Sequence, residues 1–210
     1  MIDYYNARAT EYDSLYNKPE RQIDLAWMKQ HFKKVFKDKR VLEVACGTGY
    51  WTQCISESAQ SIFATDLSPA VLEVAGKKTY SCSVDFELKD LFELQESGET
   101  FDAVFAGFIV SHIEVQALQE FANALMKVVS PGGILVLTDN RLVPGSNTPI
   151  SRTDAHGNTY QQRTLADGRS FEVLKNFSSI QQLEQTFGPY GHTRRWSLLE
   201  HYFIYTVIRA

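Results

Sequence analysis

Val41-Leu42-Glu43-Val44-Ala45-Cys46-Gly47-Thr48-Gly49 is the stretch that decides the fold. Val41 to Ala45 is a short apolar run, and Cys46 to Gly49 breaks it, which predicts a buried strand closed by a glycine turn. Such a turn lets backbone approach a ligand with no Cβ in the way. The helix predicted next, Tyr50 to Glu57, offers free N–H groups at its start. The alternation then continues along the chain. Ser61 to Thr65 reads as a second strand ending at Asp66. Ser68 suits an N-cap and Pro69 a first helical residue, for a helix to about Lys78. Val84 to Lys89 reads as a third strand ending at Asp90, and Phe101 to Ala106 as a fourth. Glu114 to Val129 carries an apolar stripe at helical spacing and is stopped by Pro131-Gly132-Gly133, before a fifth strand, Ile134 to Thr138.

Short apolar strands alternating with helices call for a parallel sheet covered on both faces. Right-handed crossovers make it doubly wound, with ligands bound beyond the carboxyl ends of the strands. Upstream, two helical segments are expected, one with aromatics from Tyr4 to Tyr16 and one from about Pro19 to Phe36. In the second, Trp27, His31, Phe32, Val35 and Phe36 fall roughly on one face. Downstream, Arg141 to His156 reads as a loop. Thr159 to Leu165 and Arg169 to Leu174 read as a hairpin turning at Ala166-Asp167-Gly168. Ser178 to Phe187 reads as a helix, and His192 to Leu198 and His201 to Arg209 as antiparallel edge strands. The expectation is one α/β domain over residues 1–210 with a mainly parallel seven-stranded sheet. It divides into a helical lid (1–36), a cofactor-binding core (37–140), a β-hairpin insert after strand 5 (141–177), and a C-terminal helix with a strand pair (178–210).

The glycine turn alone fits either a nicotinamide dinucleotide or adenosylmethionine. A dinucleotide site would want G-x-G-x-x-G. Here Ala45 stands first and Thr52 falls where the third glycine would be. Glu43, inside the strand, would repel a pyrophosphate and suit a ligand bearing a positive amine.

Glu43 to Gly49 resembles the first motif of the class I methyltransferases, and the resemblance extends over about Val41 to Asn140. Phe101-Asp102-Ala103-Val104 and Ser130-Pro131-Gly132-Gly133 resemble the openings of that family's fourth and fifth strands. Ala45 departs from the commonest form, which has glycine. The resemblance implies a Rossmann-like fold, S-adenosyl-L-methionine as cofactor and S-adenosyl-L-homocysteine as product. It implies a cofactor site of Glu43, Ala45, Gly47, Gly49, Asp66, Leu67, Asp90, Leu91 and Gly107. Asp66 would take the two ribose hydroxyls, because a carboxylate can accept both protons. Asp90 would accept from the adenine amino group, the Leu91 N–H would meet the ring, and Phe92 could stack beside it. Trp51 is open to two readings, cofactor contact or helix packing. The segment Tyr4 to Asp13 resembles the helical lid of small-molecule members. Tyr12 would then lie against the cofactor, with Tyr5 and Arg8 facing the substrate. The alternative is an amphipathic helix packed on the sheet.

Methyl transfer from a sulfonium is an in-line displacement in which positioning and desolvation supply much of the acceleration. A neutral hydroxyl acceptor needs a base and an ionised oxygen does not. His112, just after the fourth strand, is the candidate base. The segment from Arg141 to Lys175 holds Arg141, Arg152, Arg163, Arg169, Lys175 and His156 against Asp154, Asp167 and Glu172. Arginine forks match carboxylate and phosphate oxygens. Arg163, Lys175 and Arg141 are the candidate substrate contacts. The insert, with Pro144 to Thr153 and Tyr160-Gln161-Gln162-Arg163, is similar to a subset of bacterial small-molecule O-methyltransferases that includes a phosphonate O-methyltransferase. That likeness implies O-methylation of a small anionic carboxylate or phosphonate.

The rival reading is an RNA, tRNA or protein methyltransferase, for which the basic run Lys33 to Arg40 is the best support. Against it stand a net charge of −4 and a pI near 5.7. The same run also reads as a helix end with favourable C-terminal lysines. A binding module without chemistry and a nicotinamide-dependent reductase are further alternatives. With 44% apolar and 22% charged residues the composition is that of an ordinary globular chain. Three cysteines without ligand spacing suggest neither disulfides nor a metal site. The N-terminal residues do not read as a signal peptide, and no apolar run approaches the ~20 residues of a membrane helix. A cytoplasmic enzyme without membrane contact is expected, as a monomer or a homodimer.

Overall fold

The computed structural model describes residues 1–210; the side chains of residues 192 and 193 lie outside the described set. The strands are β1 (Arg40–Val44), β2 (Ser61–Asp66), β3 (Ser83–Leu88), β4 (Phe101–Gly107), β5 (Val129–Asn140), β6 (Arg152–Thr153), β7 (Thr159–Thr164), β8 (Ser170–Leu174), β9 (Gly191–Leu198) and β10 (Tyr202–Arg209). The helices are α1 (Ile2–Arg8), α2 (Gln22–Val35), α3 (Tyr50–Ser56), α4 (Pro69–Gly76), α5 (Leu91–Leu94), α6 (Leu118–Val128) and α7 (Ile180–Phe187). Seven strands form one Rossmann-like sheet in the order β3-β2-β1-β4-β5-β10-β9. β1 to β5 pair in parallel; β10 runs antiparallel to β5, and β9 to β10. The chain moves outward from β1 to β3 and then returns to β4 on the other side of β1. The crevice above β1 and β4 is the switch point, where such sheets bind ligands.

Alternate residues of each central strand feed opposite faces. Leu42, Val104 and Leu135 face a layer with Phe121 and Leu125 of α6 and Leu183 and Phe187 of α7. Val41, Phe105 and Val136 face a layer with Met28 and Phe32 of α2 and Ile55 of α3. That two-sided burial is why these strands are apolar throughout rather than alternating.

Ser68 caps α4, its hydroxyl accepting from the Val71 N–H, with Pro69 at the first helical position. The Ala166–Gly168 turn closes β7 onto β8, and Gly168 takes a left-handed φ of +88°.

Four local readings are corrected. The N-terminal helix stops at Arg8, and Tyr12–Asn17 is a tighter 3₁₀ turn. The buried stripe of α2 runs through Leu25, Met28 and Phe32 to Phe36, while Trp27 is 41% exposed and stacks on His31. The largest aromatic there lies beside the stripe, not in it. β5 starts at Val129, so Ser130 to Gly133 is an irregularity inside the strand rather than a stop before it. The β4–β5 register shifts there, with Gly132 left-handed at +72°. The loop after β5 contains β6, which pairs with β7 and makes the insert a three-stranded antiparallel sheet. Among the described residues, no helix is long and apolar enough to cross a membrane, and no group of three or more His, Cys, Asp or Glu could hold a metal ion.

Candidate active site

The turn after β1 folds into a cradle because three of its residues take left-handed backbone: Ala45 (φ +56°), Gly47 (+58°) and Gly49 (+77°). Glycine accepts this region freely, whereas Ala45 carries a steric cost there. A glycine would take the same conformation there without that cost. The Gly47 N–H donates to Asp66 Oδ2 at 2.8 Å and the Ser68 N–H to Oδ1 at 2.9 Å. The carboxylate at the end of β2 is thus fixed from two sides, with lone pairs left for a ligand. Burial pushes the Asp66 pKa up, and these backbone donors oppose the shift. Glu43 is buried beneath the cradle. Burial, joined by the charge of Asp66, pushes its pKa up to about 8. Its Oε2 has no hydrogen-bond partner. A buried acceptor without a donor is the feature a ligand amine would satisfy. The cavity above is lined by Ala45, Gly47, Asp66, Leu67 and Gly107 from the sheet ends.

A second cavity adjoins it. Tyr5 and Tyr12 from the N-terminal segment, with Phe108 and His112 after β4, line both. His112 Nδ1 lies 2.6 Å from the Leu174 carbonyl, so Nδ1 donates there. Nε2 then accepts from the Tyr5 hydroxyl at 2.8 Å. Burial, reinforced by Lys175, pulls the His112 pKa down to about 3, and the imidazole is neutral at pH 7. Lys175 Nζ reaches Asp139 Oδ1 at 3.0 Å and Ser111 Oγ at 2.5 Å. Asp139 also accepts from the Ser111 N–H at 2.9 Å. Burial pushes Asp139 up, but Lys175, His112 and its backbone donors hold it below the usual carboxylate range. Arg163 donates to Gln161 Oε1 at 2.6 Å, and its buried Nε has no partner.

The structure brings Tyr12, Ala45, Gly47, Asp66, Leu67 and Gly107 to the first cavity and Arg163 and Lys175 to the second, with Tyr5 and His112 between. Glu43, beneath the cradle, and Gly49, at its end, do not line the first cavity. A Cβ on Gly49 would clash with the Tyr80 hydroxyl. Asp90 caps α5 by accepting from the Phe92 N–H, and Leu91 is buried against the sheet. Neither lines the cavity floor. Two expectations are corrected, and of the two readings of Trp51 the packing one is seen. Trp51 packs in the core, edge-on to Tyr16 and stacked on Phe108 at 6.0 Å, because α3 turns it inward. Arg141 faces outward and donates to the carbonyls of Leu199 and Glu200. Arg8 turns to the Tyr4 hydroxyl and lies over the Tyr12 ring, outside both cavities. Sequence reasoning missed Lys18, Arg21, Phe108 and Ser146. Phe108 left one trace, its place directly after the fourth strand, and it holds a left-handed φ of +63°. Arg21 and Lys18 read as surface charges at a helix start, with no local signal to say otherwise.

Residues 41–133 match the methyltransferase domain family. The chain is 34% identical over 114 residues to a ubiquinone biosynthesis O-methyltransferase of Rhizobium etli, covering 53% of this chain and 45% of that protein. It spans about half the length of the curated relatives it matches. Among solved structures, a DhpI–SAH complex superposes with a TM-score of 0.78 at 28% identity, covering 100% of this chain and 95% of DhpI. A DhpI–SAM–HEP complex gives 0.80 at 27%, covering 97% and 94%. With the cradle, the strand order and these likenesses in agreement, residues 41–133 form a methyltransferase domain of the class I, S-adenosylmethionine-dependent kind.

Proposed function

We propose that the chain transfers the methyl group of S-adenosyl-L-methionine to an oxygen of a small anionic molecule. The observation that carries this reading is the pair of adjoining cavities with one shared wall. One is floored by the glycine cradle and Asp66; the other is lined by Lys18, Arg21, Arg163 and Lys175 and by no carboxylate. The R. etli protein is named as an O-methyltransferase and one DhpI complex as holding both SAM and HEP, which supports a small-molecule acceptor.

Asp66 would accept from the ribose hydroxyls, and Glu43, ionised once a cation is beside it, would answer the amine. The cofactor, when bound, would supply a sulfonium methyl group for in-line transfer, a C–O bond forming as the C–S bond breaks and its electron pair leaves with the sulfur. Arg163 would orient the acceptor anion. Lys175 contributes less, because Asp139 already compensates its charge. Tyr5, Tyr12 and Phe108 would keep water from the line of transfer. An ionised acceptor oxygen needs no base. For a hydroxyl acceptor, His112 Nε2 is the available base, and an anion beside Arg163 and Lys175 would raise its basicity by offsetting their charges.

S-adenosylhomocysteine titrated calorimetrically into wild type and Asp66→Ala tests the cofactor half. Micromolar binding is expected, weakened roughly 10–100-fold by losing hydrogen bonds to a charged group. Labelled methyl transfer to a panel of small carboxylic and phosphonic acids tests the other half. No binding by folded wild type, or transfer to RNA and to none of the acids, would reject the proposal.

A further inference from the structure

Arg21 is 8% exposed, and its guanidinium is met only by neutral groups: Ser146 Oγ at 3.0 and 3.2 Å, the Ser146 carbonyl at 3.1 Å, Asn140 Oδ1 at 3.2 Å and the Tyr202 hydroxyl at 3.4 Å. Among the described residues, no carboxylate pairs with it. Glu20 is exposed and accepts from the Ser146 hydroxyl at 3.2 Å, so its hydrogen-bonded link to Arg21 runs through that hydroxyl. Lys18 joins Arg21 at the same carbonyl, its Nζ donating to Ser146 at 2.8 Å. Burial, followed by the charge of Arg21, lowers the Lys18 pKa. A buried cation without a counter-ion is costly. This pair lines the acceptor cavity, as Arg163 does on the insert. Among the described residues Arg163 has no carboxylate partner either, and its buried Nε is unmet.

The two unmatched arginines stand on different elements, Arg21 at the start of α2 and Arg163 on β7. We infer that Arg21 and Lys18 form a second anion subsite, so that the acceptor is a small molecule with two anionic groups, one held by Arg163 beside the cofactor cavity and one by Arg21. This rests on the proposed methyl transfer and adds a requirement on the acceptor's shape. The methyl group goes to an oxygen of the first group; the second stays ionised and serves as the anchor. No proton leaves in that transfer.

The test measures binding of matched acids to the chain with and without S-adenosylhomocysteine: butyrate against succinate, pentanoate against glutarate, ethylphosphonate against phosphonoacetate. At least one two-charge acid is expected to bind about 10–100-fold more tightly than its one-charge counterpart. Arg21→Gln should reduce that ratio to within about twofold of unity, with affinity for the one-charge acid and S-adenosylhomocysteine kept. Arg21→Lys should restore part of the preference. Lys18→Gln, at a half-buried position, should lower the ratio even where Arg21→Gln folds poorly. A wild type in which no two-charge acid outbinds its counterpart overturns the inference. So does an Arg21→Gln protein that weakens both acids equally, which is the behaviour of a residue that only holds the Ser146 loop. S-adenosylhomocysteine affinity reads the methyl-transfer proposal separately, because the acid ratio is measured without it as well.

Discussion

The two cavities are built in opposite ways. The first is backbone: left-handed turns at Ala45, Gly47 and Gly49, and N–H groups that fix Asp66. Its parts lie close together in the chain, and its buried charges are acidic. The second is side chain: cations from residues 18 and 21, the insert at 163 and the insert's base at 175, with Ser146 and Gln161 between them. Its parts meet only when the chain has folded. A ligand shared by a whole family can be met by backbone, which any side chain shares. A substrate particular to one member has to be met by side chains on segments free to vary.

Substitutions that affect one cavity and spare the other sharpen this contrast. The largest effect is expected from Arg163→Gln, which removes a charge facing the acceptor. It should raise the acceptor's KM by roughly a hundredfold, about 3 kcal/mol, and leave S-adenosylhomocysteine affinity unchanged by calorimetry. A parallel loss of cofactor affinity would break the contrast. Glu43→Gln comes next. Burial keeps Glu43 protonated up to about pH 8 in the folded chain, whereas a solvated glutamate ionises near 4.5. Its contribution is fully present below pH 4.5 and is lost as pH rises through 8. Urea melts of ligand-free wild type should therefore show stability falling between about pH 5 and 8, by roughly 2 kcal/mol, since each tenfold change in proton affinity is worth about 1.4 kcal/mol and water entering the cradle softens the effect. The variant should be flatter over that window. Gly49→Ala puts a Cβ against Tyr80 and Ala75 in left-handed backbone. It should cost ~1.5 kcal/mol, a drop of about 3–6 °C in Tm. The smallest effect carries the opposite sign. Ala45→Gly relieves left-handed strain and should stabilise by about 0.5 kcal/mol net of the extra freedom of the unfolded chain, seen as a small rise in Tm.

The same contrast explains what could be read without a structure. The central strands and the cradle announce themselves through apolar runs that end in glycine or aspartate, signals confined to a few neighbouring residues. The hairpin was legible because Ala166-Asp167-Gly168 is turn chemistry. β6 was not, since Arg152 and Thr153 pair across to Thr159 and Tyr160 with no pattern of their own. The bulge inside β5 reads locally as a stop, because Pro131 and two glycines end most elements; neighbouring strands override that preference. Arg141 and Arg21 show the limit most clearly. Both are arginines flanking an element. One is spent on carbonyls at the surface and the other is buried in the acceptor cavity, and only tertiary packing decides between them.

Tyr5 and Tyr12 face both cavities, and their neighbour Asn6 accepts a hydrogen bond at 2.6 Å from the hydroxyl of Ser68, which lines the cofactor side. Occupancy of the two cavities is therefore joined through one segment. Whatever factor a bound cofactor adds to acceptor affinity, the acceptor must return to the cofactor. In an enzyme wired in this way the affinities for methyl donor and acceptor cannot be tuned independently of each other.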